Sequence, residues 1–499
     1  MKLPAQPVLS CAEAKDLEAR LFGANEALEW PAMLLAGRAI AAAVLHDFEE
    51  IGGFPSAARM LVLAGKGHNG GDALIAAQAI LENFPQAQAD VRFVFGERAL
   101  RPLARRAWQG LTHAAGRRAG ARTGLPEGTY DLCLDGVFGF QFRPPAEPGV
   151  AALLAGVNAR PIRLRAAVDL PSAGLFQADF TYATGCVKSP VLMAPEAGRV
   201  RYLDLGFFAT DGAESSAQDR VLTSRVLAPL RALRAPHSDK RSHGHVFVVG
   251  GSRHFPGAAL MTVLAALRSG AGLVTAFVPE SLVPAFAARA PEAMWAGWPE
   301  TPAGGLALAG EALLRARLER ATALVIGPGL GREPETLALV RRVVENSPVP
   351  LVIDADALQP EIVIAGAAPR IVTPHAGEFA RIAGAVELRE FAAATGATVV
   401  LKGPVTRIAS GTEARPAEAV CVYHSFFGGP VLARGGSGDV LAGLIGGLLA
   451  QNPAEPLLAA ARGVVWHGTA AELLARAHGQ VAVYTTQLLD FLAPALRET

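Results

Sequence analysis

The sequence lacks several features that would assign it to a specialised class of protein. Its four cysteines are scattered through 499 residues without a C-x-x-C pair, so neither a disulfide framework nor a zinc site is indicated. The formal net charge is only +1, which gives no reason to expect nucleic acid or an anionic membrane surface as a partner. No apolar run approaches the roughly eighteen residues needed to span a bilayer. Residues 1–20 also lack the unbroken apolar core of a signal peptide. These absences favour a protein of the reducing cytoplasm.

The composition instead indicates large folded cores. Hydrophobic residues make up 51% of the chain and charged residues 18%, a balance that argues against disorder. Short β-rich runs alternate with helical segments almost throughout, which predicts parallel sheets covered by helices. Strands are predicted at residues 60–63, 91–95, 132–134, 165–169, 246–249, 273–278, 324–326, 351–353, 371–372 and 398–401. Residues 99–121 are predicted to form an amphipathic surface helix.

A chain of this length exceeds what one core usually holds, so two domains are expected. The alternating pattern weakens between residues 206 and 236, and residues 211–216 are the most loop-like piece. We therefore predict domains at residues 1–220 and 221–499.

The most informative stretch is a glycine-rich loop that delivers an aspartate to a predicted helix over residues 440–450. Gly435, Gly436 and Gly438, with Ser437 between them, let backbone N–H groups turn toward a common point. The helix that follows adds its positive dipole end, so the loop suits a phosphate in transfer. Asp439 would then be a base beside that phosphate. The alternative is that Asp439 only caps the helix.

A second glycine loop lies in the first half of the chain. Residues 65–70 satisfy the dinucleotide fingerprint G-x-G-x-x-G between a predicted strand and a predicted helix, which makes an NAD-dependent dehydrogenase a rival interpretation. However, His68, Asn69 and Asp72 make this loop unusually polar for that motif. Such a loop suits a cation or a polar ring, unless it is only a tight turn that starts the helix.

Two further predicted strands bring acids to the same edge of the sheet. This edge matters because ligands of open α/β sheets lie beyond the carboxyl ends of the strands. Asp135 follows one strand, and Asp169 and Ser172 follow the next. Together with N-G-G-D at residues 69–72 and F-G at residues 138–139, these residues resemble the NAD(P)H-hydrate epimerase domain. The resemblance implies a Rossmann-like three-layer α/β/α sandwich for the first domain.

The resemblance also assigns roles to individual residues. In that family a potassium ion is held by residues that correspond to Asn69, Asp135 and Ser172, and oxygen ligands of these types are chemically sensible for a hard monovalent cation. Asp169 is implied to contact the hydrated nicotinamide as the acid/base group. The implied substrate-binding residues are His68, Asn69, Gly70, Gly71, Asp72, Gly139 and Asp169.

The first half departs from the family pattern at several positions. His68 stands where Asn is usual, Leu34 stands where Glu is common, and Phe140 and Gln141 replace a Thr or Ser followed by Gly. The segment after Ser172 is also shorter than the usual connection. These departures leave open a first domain that only binds ligand or supports assembly.

The second half carries a longer series of matches. Its sequence resembles the ADP/ATP-dependent NAD(P)H-hydrate dehydratase, a member of the ribokinase-like fold. The matching motifs are V-G-G-S at residues 249–252, P-G-A-A at 256–259, G-P-G-L-G at 327–331, D-A-D-A-L at 354–358, T-P-H-A-G-E at 373–378, L-K-G at 401–403 and G-G-S-G-D at 435–439.

This resemblance implies a nucleotide site and a substrate site. The residues expected at the nucleotide phosphates are Lys402, Gly403, Pro404, Val405, Thr406, Gly435, Gly436, Ser437 and Gly438. The residues expected at the hydrated nicotinamide are Ala258, Gly329, His375 and Asp439, with His375 offering a neutral donor and acceptor. Glu378 is expected to orient water or magnesium, or only to start a helix. Asp354 and Asp356 are interpreted as strand-end turn residues outside the catalytic set.

The implied chemistry is a dehydration driven by a nucleotide. Asp439 removes the proton of the C6 hydroxyl, that oxygen takes the terminal phosphoryl group, and phosphate then leaves. The implied cofactors are ADP or ATP, Mg²⁺ and K⁺, and the implied substrates are the NADH and NADPH hydrates (NADHX and NADPHX). We predict a cytoplasmic homo-oligomer without nucleic-acid or membrane partners. A ribokinase-like small-molecule kinase remains an alternative, because such kinases use the same Gly-x-Gly-Asp device.

Overall fold

The computed structural model describes residues 3–124, 128–208, 217–411 and 416–498. The chain divides into two compact units. The N-terminal unit comprises Gln6–Ala217 with Ala475–Gln480, and the C-terminal unit comprises Met1–Ala5, Gln218–Leu474 and Val481–Thr499. The loop-like piece expected at residues 211–216 lies outside the described residues. The functional boundary at residue 220 stays a prediction.

The N-terminal unit is built on a parallel sheet in the order β4-β3-β2-β5-β6-β7-β9, beside a short parallel pair of β1 and β8. Its strands are β1 (Ala5–Leu9), β2 (Arg59–Ala64), β3 (Gln88–Phe93), β4 (Ala119–Ala121), β5 (Tyr130–Gly136), β6 (Ile162–Val168), β7 (Phe180–Thr184), β8 (Val187–Lys188) and β9 (Arg199–Leu203). Its helices are α1 (Cys11–Phe22), α2 (Glu26–Phe48), α3 (His68–Asn83), α4 (Pro102–Ala115) and α5 (Pro148–Asn158).

Both faces of this sheet are covered. Along β2, Met60 and Val62 pack into one apolar cluster, and Leu61 and Leu63 pack into another on the opposite face, as the two-residue period of a strand requires. The first cluster includes residues of α2, α3 and α4, and the second includes residues of α5. Because each face is buried under helices, the predicted three-layer α/β/α sandwich is confirmed.

The C-terminal unit is built on a second large sheet. Its order is β13-β12-β11-β14-β15-β16-β17-β18-β19-β10, parallel except that β18 runs antiparallel to β17 and β19. The strands are β10 (Asp219–Leu222), β11 (His245–Val249), β12 (Leu273–Pro279), β13 (Met294–Trp298), β14 (Ala323–Ile326), β15 (Leu351–Ile353), β16 (Arg370–Val372), β17 (Thr398–Leu401), β18 (Thr406–Ser410) and β19 (Val422–Ser425). The helices are α6 (Pro256–Arg268), α7 (Val283–Arg289), α8 (Glu311–Arg315), α9 (Pro334–Glu345), α10 (Pro360–Val363), α11 (Ala376–Ala383), α12 (Leu388–Thr395), α13 (Ser437–Gln451), α14 (Pro456–His478) and α15 (Leu488–Glu498).

Helix α13 is the central helix of this unit. Every residue from Val440 to Ala450 is buried, which is expected of a helix that is apolar on all sides. Gly446 lies so close to the sheet that a Cβ atom there would stand 2.1 Å from a methyl group of Val325. At Gly443 a Cβ would stand 2.1 Å from the carbonyl oxygen of Thr262 on α6. These glycines let α13 pack directly on the sheet and on α6, which fixes the position of its N-terminus.

The predicted strands all exist, with ends that differ by a few residues. The helix predicted over residues 99–121 is shorter than expected. Helix α4 ends at Ala115, where Gly116 takes a positive φ of 53°, and residues 119–121 instead form the edge strand β4. Ala119 pairs with Ala89 of β3, so pairing at the sheet edge outweighs the helical pattern of the sequence.

The helix over Glu26–Ile51, which contains α2, is long and apolar enough to cross a membrane by length and composition. A helix in the core of a folded protein meets the same criteria of length and composition. In α2, Ile40, Val44 and Phe48 belong to the core beneath the sheet. The prediction that no membrane is a partner stays a prediction.

Candidate active sites

Asp439 lies in the first turn of α13. The helix is preceded by Gly436, which adopts a left-handed conformation with φ of 88° and makes no side-chain capping bond. This positive φ favours glycine, because other side chains are strained in that conformation. Within the described residues, the Asp439 carboxylate has neither a hydrogen-bond partner nor an ion pair. A capping role therefore does not explain this aspartate.

The surroundings of Asp439 make it a group that titrates near neutrality. Its pKa rises to about 6, first because the carboxyl group is buried and then because Asp354, Asp356 and Glu378 add negative charge nearby. The ammonium group of Lys402 opposes this rise. A carboxylate with such a pKa is suited to take up a proton during catalysis.

Lys402 connects the end of β17 with the glycine loop. Its Nζ lies 3.1 Å from Asp354 Oδ1 and 3.9 Å from Glu378 Oε2. A Cβ atom at Gly438 would stand 3.2 Å from the same Nζ, which places the ammonium directly beside the loop. Burial alone would lower the pKa of Lys402, but the three carboxylates around it, those of Asp354, Glu378 and Asp439, raise the pKa. The ammonium is therefore charged and available to an anion at the loop.

Asp354 is fixed in place. Its Oδ1 accepts a hydrogen bond of 2.7 Å from the Thr373 hydroxyl, and its side chain is almost fully buried. Its neighbour Asp356 has a different partner, since its Oδ2 accepts a hydrogen bond of 3.0 Å from the backbone N–H of Gly331. Asp356 also forms an ion pair with Arg332 at 3.1 Å, whereas Asp354 pairs with Lys402 of the candidate site. The exclusion of both aspartates from the catalytic set stays a prediction.

His375 and Glu378 form a reciprocal cap at the start of α11. The Nδ1 atom of His375 accepts hydrogen bonds from the N–H groups of Gly377 and Glu378, at 3.1 and 3.2 Å. The Glu378 carboxylate in return accepts the N–H of His375 at 2.8 Å. Because Nδ1 is occupied, a substrate can meet the exposed ring only at Nε2, which already lies 3.5 Å from Glu378 Oε1.

Ala258 and Gly329 come together, as expected. Gly329 has φ of 68°, and a Cβ there would stand 2.4 Å from the carbonyl oxygen of Phe255 and 2.9 Å from the Cβ of Ala258. Thr262 links this pair to α13, because its hydroxyl donates to the carbonyl oxygens of Ala258 and Asp439 at 3.0 and 3.2 Å. One turn of α6 thus connects the expected substrate residues with Asp439.

One part of the expected nucleotide site lies around a cavity of about 450 Å³. Lys402, Gly403, Pro404 and Val405 line it, together with residues of α11 and α12, and Thr406 begins β18 directly after it. On the other side of the loop, the Ser437 hydroxyl donates to the carbonyl oxygen of Leu432 at 2.7 Å. The expected nucleotide residues therefore form two groups, and Lys402 is the residue that adjoins both.

In the N-terminal unit, Asp135 and Ser172 are joined directly. The Ser172 hydroxyl donates to Asp135 Oδ1 at 2.7 Å, and the Ser172 N–H donates to Oδ2 at 2.8 Å. Burial raises the pKa of Asp135 to about 6, although the hydrogen bonds from Ser172 and from the Val137 N–H lower it in part. The paired aspartate and serine lie at the carboxyl end of β5.

The side chain of Asn69 faces the same strand ends. It contacts the carbonyl oxygens of Phe138 and Val168, at 3.2 and 2.9 Å. Gly139 is close enough that a Cβ there would stand 2.5 Å from Asn69 Oδ1. Oxygen atoms are thus available from the Asn69 amide, the two carbonyl groups, the Ser172 hydroxyl and the Asp135 carboxylate. This set fits a potassium ion if Asn69 turns its amide oxygen, rather than its nitrogen, toward the ion.

Asp169 is engaged in a buried ion pair that the sequence analysis missed. Lys188 Nζ lies 2.5 Å from Asp169 Oδ1, and both side chains are almost fully buried. Asp169 also has a positive φ of 69°, an uncommon conformation for a residue other than glycine. Burial alone would lower the pKa of Lys188, but Asp169, Cys186 and Glu18 together outweigh burial and raise it. The ring of Phe140 covers the ammonium at 5.3 Å.

The N-terminal unit contains a cavity of about 240 Å³. His68, Asp72, Gln141 and Glu18 are among the residues that line it. Asp72 is buried and its Oδ1 has no hydrogen-bond partner, so burial raises its pKa well above the ordinary value. Burial likewise raises the pKa of Glu18 to about 7. The cavity thus offers one carboxyl group, that of Glu18, with a pKa near neutral pH.

The glycines of the first loop are closely packed, Gly70 against backbone and Gly71 against a methionine side chain. A Cβ atom at Gly70 would stand 2.2 Å from the carbonyl oxygen of Gly65, and one at Gly71 would stand 2.3 Å from the terminal methyl of Met33. These positions explain the N-G-G-D spacing by packing, and they hold Asn69 and Asp72 at the start of α3.

Two family models match the chain. The model described as NAD(P)H-hydrate dehydratase matches residues 246–494, and the model described as YjeF-related protein N-terminus matches residues 31–194. A bifunctional NAD(P)H-hydrate repair enzyme Nnr of Gloeobacter violaceus is 38% identical over 531 residues, which covers 99% of this chain and 98% of the relative. The chain belongs to the bifunctional NAD(P)H-hydrate repair enzyme family. This finding confirms the resemblance of both halves.

Members and relatives of the repair-enzyme family extend the comparison. The ADP-dependent (S)-NAD(P)H-hydrate dehydratase of Xanthomonas campestris is 38% identical over 273 residues, covering 52% of this chain and 91% of that protein. A crystal structure of the ADP/ATP-dependent NAD(P)H-hydrate dehydratase of Bacillus subtilis with ATP and Mg²⁺ is 28% identical, with a TM-score of 0.47. It covers 55% of this chain and 97% of that protein. Membership favours the repair function over the dehydrogenase and kinase alternatives. The cytoplasmic location and the homo-oligomer stay predictions.

Sequence reasoning missed residues of the repair-enzyme sites that carry no motif. Lys188 is a single cation in an apolar run, and only its burial in the fold identifies it. His467 is buried on α14 in contact with the Ser437 backbone, and burial together with Lys402 lowers its pKa to about 4. Its ring is therefore neutral beside the phosphate loop. Asp354 could have been found, because it opens the D-A-D-A-L motif at a strand end.

Proposed function

We propose that the chain interconverts the R and S hydrates of NADH and NADPH and dehydrates the S form, with ADP or ATP as the phosphoryl donor. The observation that carries the proposal is the arrangement at the start of α13. There an unpaired Asp439 with a pKa near 6 stands in the first helical turn, and the charged Lys402 lies beside Gly438 of the preceding loop.

The terminal phosphates of the nucleotide would lie against the Gly435–Gly438 backbone. The N–H groups at the start of α13 and the Lys402 ammonium supply positive charge at that point. Asp354 and Glu378 flank Lys402 with carboxylate oxygens, the ligand type that Mg²⁺ prefers when it also binds phosphates. We therefore assign these two carboxylates to the magnesium ion, which would neutralise charge on the nucleotide.

Asp439 would start the dehydration by removing the proton of the C6 hydroxyl group. The C6 oxygen then forms a bond to the terminal phosphorus, and the bond from that phosphorus to the nucleotide's bridging oxygen breaks, which releases AMP from ADP or ADP from ATP. Next the C6–O bond breaks, and its electron pair leaves with the phosphate. Loss of a proton from C5 restores the C5–C6 double bond. The Gly435–Gly438 amides stabilise the charge that develops on the phosphoryl group.

The epimerase reaction would occur at the N-terminal unit's cavity. Opening and reclosing the C6 hydroxyl adduct needs a group that takes up a proton and returns it, and Asp169 is the candidate. A potassium ion on Asn69, Asp135 and Ser172 would supply fixed positive charge beside the substrate. Lys188 would hold the Asp169 carboxylate in position, because its ammonium is the ion-pair partner of that buried group.

One observation favours a second candidate for the N-terminal unit. Phe140 covers Lys188, and the family pattern has small residues there. A bulky ring beside the Asp169–Lys188 pair would narrow access to the acid/base group. The second candidate is therefore a dehydratase whose N-terminal unit binds the hydrate without epimerising it.

One assay separates these functions. The purified chain is given an equal mixture of R and S NADH hydrates with ADP or ATP, and NADH is followed by its absorbance. Complete recovery supports both activities, and recovery that stops at half, with spontaneous epimerisation measured separately, supports the second candidate. Asp439→Asn should abolish NADH formation while nucleotide binding is retained, and retained turnover removes Asp439 from the role of base. No recovery with either nucleotide contradicts the proposed function.

A further inference from the structure

A second cavity, of about 470 Å³, lies in the C-terminal unit away from the glycine loop. The positively charged side chains that line it are Arg234, Arg268 and Arg462, and His243 adds an imidazole. Among the described residues that line the cavity, none carries a carboxylate. The cavity therefore has the electrostatic character of an anion site.

Arg462 is the unusual residue in this wall. It is 9% exposed, and its Nε donates to the carbonyl oxygen of Val226 at 3.2 Å. Its terminal Nη atoms have no hydrogen-bond partner in the described part of the chain, and no carboxylate there lies within ion-pair distance of them. Burial lowers the pKa of Arg462, an effect that Glu455 offsets only in part. A buried guanidinium without a counter-ion destabilises the fold, unless a ligand supplies the negative charge.

The other two arginines are already anchored. Arg234 Nη2 donates to the carbonyl oxygen of Gly270 at 2.7 Å, and Arg268 Nη1 donates to that of Leu489 at 2.8 Å. Asp490 lies 3.2 Å from Arg268, but both side chains are half exposed or more, so this pair is well screened. Arg462 is therefore the residue of the three that would bind an anion directly.

Part of the remaining wall is apolar. Trp466 follows Arg462 by one helical turn on α14, and its indole N–H is already bonded to the carbonyl oxygen of Leu492. Leu230, Leu492 and Leu496 complete this part of the lining. An inorganic ion would leave these side chains facing empty space. A planar apolar group attached to the anion would cover them.

The cavity is distinct from the dehydratase site. Gln451 and Asn452 at the far end of α13 line it, and Asp439 lies at the opposite end of the same helix. Twelve residues of helix separate Asp439 from Gln451, which corresponds to about 18 Å. A phosphate at the glycine loop therefore does not reach Arg462.

We propose that this cavity binds an organic anion, with its phosphate or carboxylate group on Arg462 and a planar apolar body against Trp466 and the neighbouring leucines. The site is separate from both proposed catalytic sites and does not depend on them.

The test uses 1-naphthyl phosphate as the probe and the full-length chain labelled with 5-fluorotryptophan. The chain has five tryptophans, and the Trp466 signal in the fluorine spectrum is assigned by its loss in Trp466→Phe. We expect the probe to shift the Trp466 signal saturably. Naphthol and inorganic phosphate should bind at least tenfold more weakly, because each lacks one half of the ligand. An equal response to either of them overturns the proposal.

Variants locate the binding. Arg462→Met should weaken binding at least tenfold, and Arg341→Met, which removes an exposed arginine on α9, should leave it unchanged. Without probe, Arg462→Met should melt no lower than the parent, because the unpaired charge is gone. If Arg462→Met does not fold, Arg462→Lys must bind the probe more weakly than the parent. Binding that survives Arg462→Met, or that a saturating non-hydrolysable nucleotide abolishes, contradicts the proposal.

Discussion

The Lys402 ammonium lies 3.1 Å from the Asp354 carboxylate, at the point where β17 and β15 end. The strands β15 and β17 flank β16, and their carboxyl ends at one edge of the sheet bring these residues together although 48 positions separate them. Asp354 thereby holds the lysine beside Gly438 before any nucleotide is bound. The proposed phosphate site would in this sense be preorganised, because the Lys402 ammonium is already in place.

Replacing Lys402 should weaken nucleotide binding more than it lowers the reaction rate of the nucleotide-bound enzyme. A charge-assisted hydrogen bond contributes about 1.5–3 kcal/mol, so Lys402→Met should raise the nucleotide KM roughly 10- to 100-fold. Lys402→Arg should recover part of this loss, because it keeps the charge. The measurement is steady-state kinetics with varied ADP or ATP, and Lys240→Met, at an exposed position, is the matched control. An unchanged KM in Lys402→Met would remove Lys402 from the nucleotide site.

Asp439 should be a destabilising residue at neutral pH. Its folded pKa of about 6 lies above the ordinary value of 3.8, so its contribution to stability is complete below pH 3.8 and is lost as pH rises through 6. The shift corresponds to at most about 3 kcal/mol above pH 6. Asp439→Asn should therefore raise the melting temperature of the C-terminal unit at pH 8, and by less at pH 5. A melting temperature that is lower than the parent's at pH 8 would contradict the assigned pKa.

Asp169 and Lys188 should be coupled in their effect on the free energy of unfolding. Lys188→Met leaves a buried carboxylate without its partner, which destabilises a protein by about 3–5 kcal/mol. Adding Asp169→Asn should restore much of that stability, while neither the single variants nor the double variant should epimerise R-NADH hydrate. All three variants should still dehydrate the S epimer. Epimerisation at the parent rate in Asp169→Asn would show that another group exchanges the proton.

The potassium assignment predicts an ion-specific epimerase. In the Asp439→Asn background, which isolates epimerisation, replacing K⁺ by tetramethylammonium at equal ionic strength should lower the rate, because that ion is too large for oxygen ligands at coordination distance. Ser172→Ala should raise the K⁺ concentration needed for half-maximal rate. Chromatographic separation of the R and S hydrates gives the rates. A rate that is independent of the cation would refute the assignment.

Much of the fold could be predicted from the sequence because the strands are buried on both faces. Such strands appear as short continuous apolar runs, and β2, β11 and β15 were found this way. The edge strand β4 was not, since three small residues after an Ala-rich helix carry no strand pattern and only pairing with β3 defines it. Lys188 was missed for a related reason, because a lone lysine signals a site only when its burial is known.

The candidate C-terminal site was easier to predict than the N-terminal one. The G-G-S-G-D motif could be interpreted from a short stretch of sequence, because glycines, a helix start and a carboxylate are contiguous. Sequence could not show that Nδ1 of His375 is occupied by the cap of α11, since that depends on the reciprocal bond from Glu378.

The central claim is that Asp439 activates the C6 oxygen for phosphoryl transfer, and an isotope label tests it most directly. S-NADH hydrate carrying ¹⁸O at the C6 hydroxyl is dehydrated by the Asp169→Asn variant with ADP or ATP, and the released phosphate is examined by phosphorus NMR. The account predicts one ¹⁸O atom in each phosphate released. Unlabelled phosphate with the label in water would contradict it, because the hydroxyl would then have left without being phosphorylated.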